Sequence, residues 1–115
     1  MSLKRKMPKL NVISNPNNVS ISCVVNGKIS VASIDNLQDG RWWISRVNVQ
    51  GAEKGKGLGS LMLQKAISEV LSFGIAEIIV VPGGYDNNID KQMNFYKKNG
   101  FTLTNKEGLM TYKNK

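Results

Sequence analysis

One segment constrains the fold of this chain more than any other. Residues 75–81 read Ile-Ala-Glu-Ile-Ile-Val-Val and are almost entirely apolar. A strand with one solvated face alternates apolar and polar residues, whereas a strand covered on both faces does not. Residues 58–73, just before it, have apolar residues at the three- and four-residue spacing of a helix. Residues 41–49 predict a further strand before that helix. Together they predict a right-handed βαβ unit with two parallel strands.

A β-hairpin is predicted upstream, over residues 19–34. Residues 19–25 and 28–34 alternate apolar and polar side chains, and the Asn26-Gly27 pair between them favours a tight turn. The apolar residues that share a face are Val19, Ile21, Cys23 and Val25 in the first strand and Ile29 and Val31 in the second. A short edge strand is expected over residues 8–13, before the hairpin.

The C-terminal third predicts a second helix and two closing strands. Residues 86–99 have helical spacing, with Ile89, Met93 and either Tyr96 or Phe95 inward, and Gly100 ends the helix. Residues 101–103 and 109–112 predict the strands. The fold class is therefore α/β (α+β): a mixed, mainly antiparallel sheet of six or seven strands around the parallel unit, with two main helices. A single domain is expected over residues 1–115, with a loose basic start at residues 1–7.

The composition excludes several kinds of catalytic site and indicates the charge of the partners. The chain has no histidine and one cysteine, which excludes a Ser-His-Asp triad, a Cys-His pair and a disulfide within the chain. It also gives no reason to expect a metal. Sixteen basic against eight acidic residues give a formal charge of +8, which favours polyanionic partners such as phosphate-rich ligands. No membrane span or secretory signal is recognisable, so the expected location is the cytoplasm, without a membrane partner.

A glycine-rich loop joins the strand at 41–49 to the helix that follows it. It carries, at or before the helix start, Lys54, Gly55, Lys56, Gly57 and Gly59. Unpaired N–H groups at a helix N-terminus, glycines and lysines together favour a diphosphate. Two well-known phosphate motifs fail: Lys56 stands where Walker A needs its second glycine, and Ser60 where the dinucleotide fingerprint needs its third.

These residues resemble the GNAT N-acetyltransferase superfamily. At this junction the family has Arg or Gln, then Gly three positions later, and Gly or Ala two positions after that. Here Lys54, Gly57 and Gly59 occupy those positions. A second family feature is matched by the run from Phe95-Tyr96 to Gly100-Phe101. The resemblance covers roughly residues 19–112. The chain departs from it in having Lys54 where Arg is commonest, and no room for two helices between its first strands.

The resemblance implies transfer of an acetyl group from acetyl-CoA to an unidentified amine, with no metal. Loop amides would hold the CoA pyrophosphate, aided by Lys54, and backbone groups before the loop would pair with the pantetheine arm. Tyr96 would be the general acid that protonates the departing thiolate. The implied CoA-binding residues are Val47, Asn48, Val49, Lys54, Gly55, Lys56, Gly57, Leu58, Gly59, Ser60 and Asn88.

Several alternatives stay open at this stage. Tyr96 is either the acid or a core aromatic, and Asn88 is a helix N-cap, a ligand or both. Trp42 and Trp43 point to opposite faces, so one is expected in the core and the other at an acceptor site or a dimer interface. No carboxylate has a spacing that marks it as the general base.

The functional alternatives are a non-catalytic GNAT-like module that binds CoA or a protein, and, less favoured, a small basic nucleic-acid-binding protein. Few aromatic residues interleave with the basic ones, which argues against the latter. The chain is expected to act as a monomer or a homodimer. Its net positive charge slightly favours a neutral or anionic acceptor.

Overall fold

The computed structural model describes residues 9–25, 27–49, 57–74, 76–82, 89–104 and 108–113. Its elements follow the predicted order. They are β1 (Asn11–Asn15), β2 (Asn18–Val25), β3 (Lys28–Asn36), β4 (Arg41–Asn48), α1 (Leu58–Leu71), β5 (Glu77–Val80), α2 (Ile89–Lys98), β6 (Thr102–Leu103) and β7 (Met110–Lys113).

The strands form one seven-stranded sheet in the order β1-β2-β3-β4-β5-β7-β6. β4 and β5 run parallel, with α1 as the crossover between them, and the other neighbouring strands are antiparallel. This confirms the predicted fold class. In β5, Ile78, Ile79 and Val80 are all buried, as expected for a strand covered on both faces.

A tight turn joins β1 directly to β2. The Asn15 side-chain oxygen accepts hydrogen bonds of 3.0 Å from the backbone N–H groups of Asn17 and Asn18. Such an Asx turn reverses the chain within two residues. No helix therefore lies between the first two strands, in agreement with the sequence analysis.

The face of β2 and β3 that α1 covers follows from their register. Val19, Ile21 and Cys23, which were predicted to share one face of β2, are completely buried. Val19 pairs with Ile34 and Ile21 with Ala32, so β3 contributes its even-numbered residues to the core. Ile29 and Val31 do share a face, but it is the face turned away from α1, and Ile29 is 58% exposed.

The two helices bury unequal faces. α1 buries six apolar side chains against the sheet, namely Leu58, Met62, Leu63, Ala66, Ile67 and Val70. α2 buries Tyr96 only. The inward position predicted for Ile89 is wrong: it is the first residue of α2, is 49% exposed and is not among the residues that pack against the core.

The two adjacent tryptophans divide as expected. Trp42 is buried and its ring stacks on Phe73 just after α1, at a centroid separation of 6.0 Å. Trp43 is 41% exposed on the other face of the sheet. Trp42 is therefore the core residue of the pair.

Candidate functional site

The parallel strands β4 and β5 are paired only where they begin. Their register aligns Arg41 with Glu77, then Trp42 with Ile78, and ends at Trp43 and Ile79. β4 continues to Asn48, still paired with β3. Within the described ranges, residues 44–48 have no strand partner on the β5 side. Their outward N–H and C=O groups are therefore open to an extended ligand.

A β-bulge lies in this unpaired part of β4. Ser33 pairs with Arg46 and Ile34 with Ile44, so Ser45 is the additional residue. A bulge shifts the alternation of a strand by one residue. Trp42 and Ile44 are buried before it, whereas Val47 and Val49 are the half-buried residues after it. The bulge therefore turns Val47 and Val49, two predicted CoA-binding positions, towards the core side.

The N-terminus of α1 begins after β4 and has no side-chain cap. The first helical hydrogen bond runs from Leu61 N–H to the Gly57 carbonyl, at 3.0 Å. The N–H groups of Leu58, Gly59 and Ser60 therefore precede the helical ladder, and the first turn holds no acidic residue. Gly57, the N-cap, has φ +87° and open space where a Cβ would lie. This end of α1 is suited to an anion.

Gly59 has a role that the sequence did not suggest. A Cβ there would lie 3.2 Å from Val49 Cγ2 and 3.3 Å from Phe95 Cε1. The missing side chain thus lets the end of β4, the first turn of α1 and α2 pack together. Three predicted site regions meet at this point.

Asn99, which sequence reasoning missed, ties α2 to the first turns of α1. Its side-chain nitrogen donates to Ser60 Oγ at 3.0 Å and to the Phe95 carbonyl at 2.8 Å. Gln64 Nε2 donates to the Asn99 side-chain oxygen at 3.0 Å and to its carbonyl at 3.1 Å. Asn99 is only 6% exposed. The one available signal was an Asn before Gly100, which is also common at ordinary helix ends.

Tyr96 lies on α2 within this cluster of contacts. Its ring meets Phe95 and Phe101 edge-on, at centroid separations of 5.2 and 5.5 Å. The side chain is 7% exposed, and burial raises the pKa of Tyr96 to about 12. The phenol is therefore held in its protonated form at neutral pH.

Four predicted CoA-binding residues lie outside the described residues, namely Lys54, Gly55, Lys56 and Asn88. No carboxylate was predicted to be the general base. Glu77 begins β5 opposite Arg41, at the end of the sheet away from the strand opening. Asp90 is exposed on the first turn of α2. Glu53 and Asp86, with the neighbouring Tyr85, also lie outside the described residues.

The described ranges contain no group of three or more His, Cys, Asp or Glu side chains placed to hold a metal ion. None of their helices is both long and apolar enough to cross a membrane.

Sequence and structure comparisons both find acetyltransferases similar to this chain. Residues 7–101 match the sequence model of the acetyltransferase (GNAT) family. An IAA acetyltransferase from Bacillus cereus superposes with a TM-score of 0.71 at 16% identity, covering 85% of this chain and 79% of that one. A search of curated proteins found no match.

Two structures with bound ligand are also similar. The PaiA N-acetyltransferase of Thermoplasma acidophilum, in complex with coenzyme A, has a TM-score of 0.69 and 17% identity, over 85% of this chain and 62% of that one. A GNAT family acetyltransferase from Elizabethkingia anophelis with acetyl-CoA bound has a TM-score of 0.69 and 16% identity, over 85% and 77%. At these identities the likeness is one of fold.

Proposed function

The chain belongs to the GNAT acetyltransferase family, and we propose that it transfers an acetyl group from acetyl-CoA to the nitrogen of an amine. The observation that carries this proposal is the juxtaposition at the end of β4. The uncapped N-terminus of α1 begins there, beside the point where β4 and β5 are no longer paired. Contacts of Asn99 and Gly59 hold α2, which carries the buried Tyr96, against the first turn of α1.

The N-terminus of α1 is the proposed pyrophosphate site. The N–H groups of Leu58, Gly59 and Ser60 would donate to phosphate oxygens, and the positive end of the helix dipole favours their charge. The Ser60 hydroxyl already accepts from Asn99, so its backbone N–H is the group assigned here. Lys54, Gly55 and Lys56 would complete the site, with Asn88 as a further contact from the start of α2.

The unpaired edge of β4 is the proposed site for the pantetheine arm. Backbone groups of Val47, Asn48 and Val49 would pair with its amides as a further strand would, and an N–H there would polarise the thioester carbonyl. In the reaction, the neutral amine attacks that carbonyl carbon, a C–N bond forms and the C–S bond breaks. The attacking nitrogen releases one proton to water.

Tyr96 is the proposed general acid, donating its phenolic proton to the sulfur as the C–S bond breaks. A pKa of about 12 keeps the phenol protonated but makes it a weaker acid than an exposed tyrosine. The transfer is then favourable only if the thiolate leaves in surroundings that also raise its pKa, as the apolar rings of Phe95 and Phe101 would do. Solvent would return the proton to Tyr96.

A non-catalytic module that binds CoA or a protein is the second candidate. The direct turn between β1 and β2 favours it, because the sheet face opposite α1 carries no helix among the described residues. Wild-type turnover separates the two candidates: a folded protein that binds acetyl-CoA but acetylates none of a broad amine panel would be such a module.

Replacing Tyr96 with Phe tests the acid. We expect kcat to fall about a hundredfold or more, the usual contribution of a positioned acid, while the Kd for acetyl-CoA changes less than about twofold because the ring remains. Tyr112→Phe is the matched control. It removes the same oxygen from a half-buried tyrosine whose ring also meets Phe101, and it should leave kcat unchanged.

A Tyr96→Phe enzyme that is as fast as the wild type would reject the acid role and leave Tyr96 as a core aromatic. Equal losses in both variants would point to packing around Phe101 as the cause.

A further inference from the structure

The sheet face opposite α1 carries a row of polar side chains across three strands. Register pairs Ser20 of β2 with Ser33 of β3, and Ser33 with Arg46 of β4. Paired residues of antiparallel strands point to the same face. Because the neighbouring Val19 and Ile21 are buried under α1, this row faces the other way.

A shallow cavity of about 380 Å³ lies on this row. The bulge supplies one more hydroxyl, from Ser45, beside Arg46. The lining residues are Ser20, Val31, Ser33, Ser45 and Arg46, so three hydroxyls and a guanidinium converge there without a carboxylate.

The hydrogen bonds of these groups leave donors for a ligand. Ser33 Oγ accepts from Asn18 Nδ2 at 3.1 Å, so its own proton stays available. Ser45 Oγ instead donates to the Ser33 carbonyl at 3.2 Å and braces the bulge. Asn18 also donates to the carboxylate of Asp35, two residues from Ser33 in β3, at 2.5 Å.

Arg46 supplies the charge. It is exposed, and the described residues form no ion pair with it, unlike Arg41, which lies 2.6 Å from Asp39. A guanidinium stays protonated at all physiological pH values and presents five N–H donors in a planar fork. The cavity is therefore cationic and rich in donors.

The cavity adjoins the proposed reaction centre. Ser45 and Arg46 lie in the part of β4 that β5 no longer pairs with, directly before the backbone assigned to the pantetheine arm. The α1 N-terminus belongs to the opposite face of the sheet. A molecule in the cavity would thus approach the strand opening from the side that CoA leaves free.

On the basis of the proposed function, we infer that this cavity binds a carboxylate carried by the acceptor amine, with Arg46 and the Ser33 hydroxyl as the donors. One guanidinium matches the two oxygens and single charge of a carboxylate. A phosphate dianion would call for more positive charge than the cavity offers. The acceptor class is accordingly amino acids or similar amino-carboxylates.

Binding can be measured without acetyl-CoA. We would titrate ¹⁵N-labelled protein with the twenty L-amino acids and with their amides, following the backbone amide signals of Ser33, Ser45 and Arg46. At least one acid should shift these signals and bind at least about tenfold more tightly than its amide, the usual loss with a charge-assisted hydrogen bond.

Arg46→Gln should weaken binding of that acid about tenfold or more. The affinity of Arg46→Lys should lie between those of the wild type and Arg46→Gln, because lysine keeps the charge but lacks the planar guanidinium. Arg41→Gln is the matched control, since it removes the same charge from the same strand outside the cavity. It should bind the acid as the wild type does.

The site is refuted if no amino acid shifts these signals, if acids and amides bind alike, or if Arg46→Gln binds as the wild type. Tighter binding of phosphoethanolamine would make it a phosphate site instead. The same acid should also be acetylated faster than its amide, although the amide has the more nucleophilic amine at neutral pH.

Failure of the proposed function would look different. A protein that binds the acid at Arg46 but neither binds acetyl-CoA nor acetylates any amine would retain the carboxylate site and lose the acetyltransferase assignment. Acetylation of neutral amines in preference to amino acids would keep the enzyme and overturn the inference.

Discussion

Asn99 offers the sharpest test of how the site is held together. Asn99→Ala removes three side-chain hydrogen bonds, to Ser60 Oγ, to the Phe95 carbonyl and from Gln64 Nε2, each between 2.8 and 3.0 Å. A hydrogen bond contributes about 0.5–1.5 kcal/mol net, so the expected loss in free energy of unfolding is about 2–3 kcal/mol. The bond from Gln64 to the Asn99 carbonyl survives, which keeps the loss from being larger.

Urea unfolding followed by far-UV circular dichroism would measure this loss. With a slope of about 1–3 kcal/mol per molar urea, the midpoint should fall by about 0.7–3 M. Asn94→Ala is the matched control, since Asn94 is an exposed asparagine on α2, the helix that Asn99 directly follows. Its replacement should change stability by less than about 0.5 kcal/mol. If Asn99→Ala is as stable as this control, the hydrogen bonds do not join α1 to α2 and the reasoning fails.

Three further predictions concern single side chains. Gly57→Ala should cost about 1–2 kcal/mol in urea unfolding, because its φ of +87° disfavours a Cβ although space for one is open; a neutral result would contradict the left-handed N-cap. The raised pKa of Tyr96 predicts stability that is intact below pH 10 and falls between pH 10 and 12, since the unfolded chain ionises first. Between pH 9 and pH 11, the free energy of unfolding of the wild type should fall by about 1 kcal/mol more than that of Tyr96→Phe. Parallel pH profiles of the two proteins would refute the raised pKa. Trp42→Ala should cost about 3–5 kcal/mol and Trp43→Ala less than about 1, and equal losses would disprove their opposite orientations.

The order of elements could be predicted from the sequence because periodicity reports local structure directly. The apolar run that ends before Pro82 is typical of a strand that is buried on both faces. The alternation of apolar and polar residues around Val19 and Ile21 is typical of a strand with one buried face. The buried face of each strand was harder to predict, because the side that α1 covers depends on the register between strands. Ile29 and Val31 are apolar and share a face, but the pairing of β3 with β2 turns it away from the core.

The candidate site was less predictable. The glycine spacing identified the start of α1, but not that Gly59 makes room for Val49 and Phe95. The bulge at Ser45 has only a faint signal, the three-residue step between the inward-facing Ile44 and Val47. The cavity beside Arg46 joins three strands, and contacts between distant parts of the chain leave no local pattern.

Calorimetric titration with acetyl-CoA, run beside ATP and NAD, tests the central assignment most directly. All three ligands carry phosphates, so they separate a site that fits CoA from a general attraction to the positive charge of the chain. We predict micromolar binding of acetyl-CoA and much weaker binding of ATP and NAD. A folded protein that binds no acetyl-CoA, or binds all three alike, would contradict the assignment of the α1 N-terminus and the open edge of β4 to acetyl-CoA.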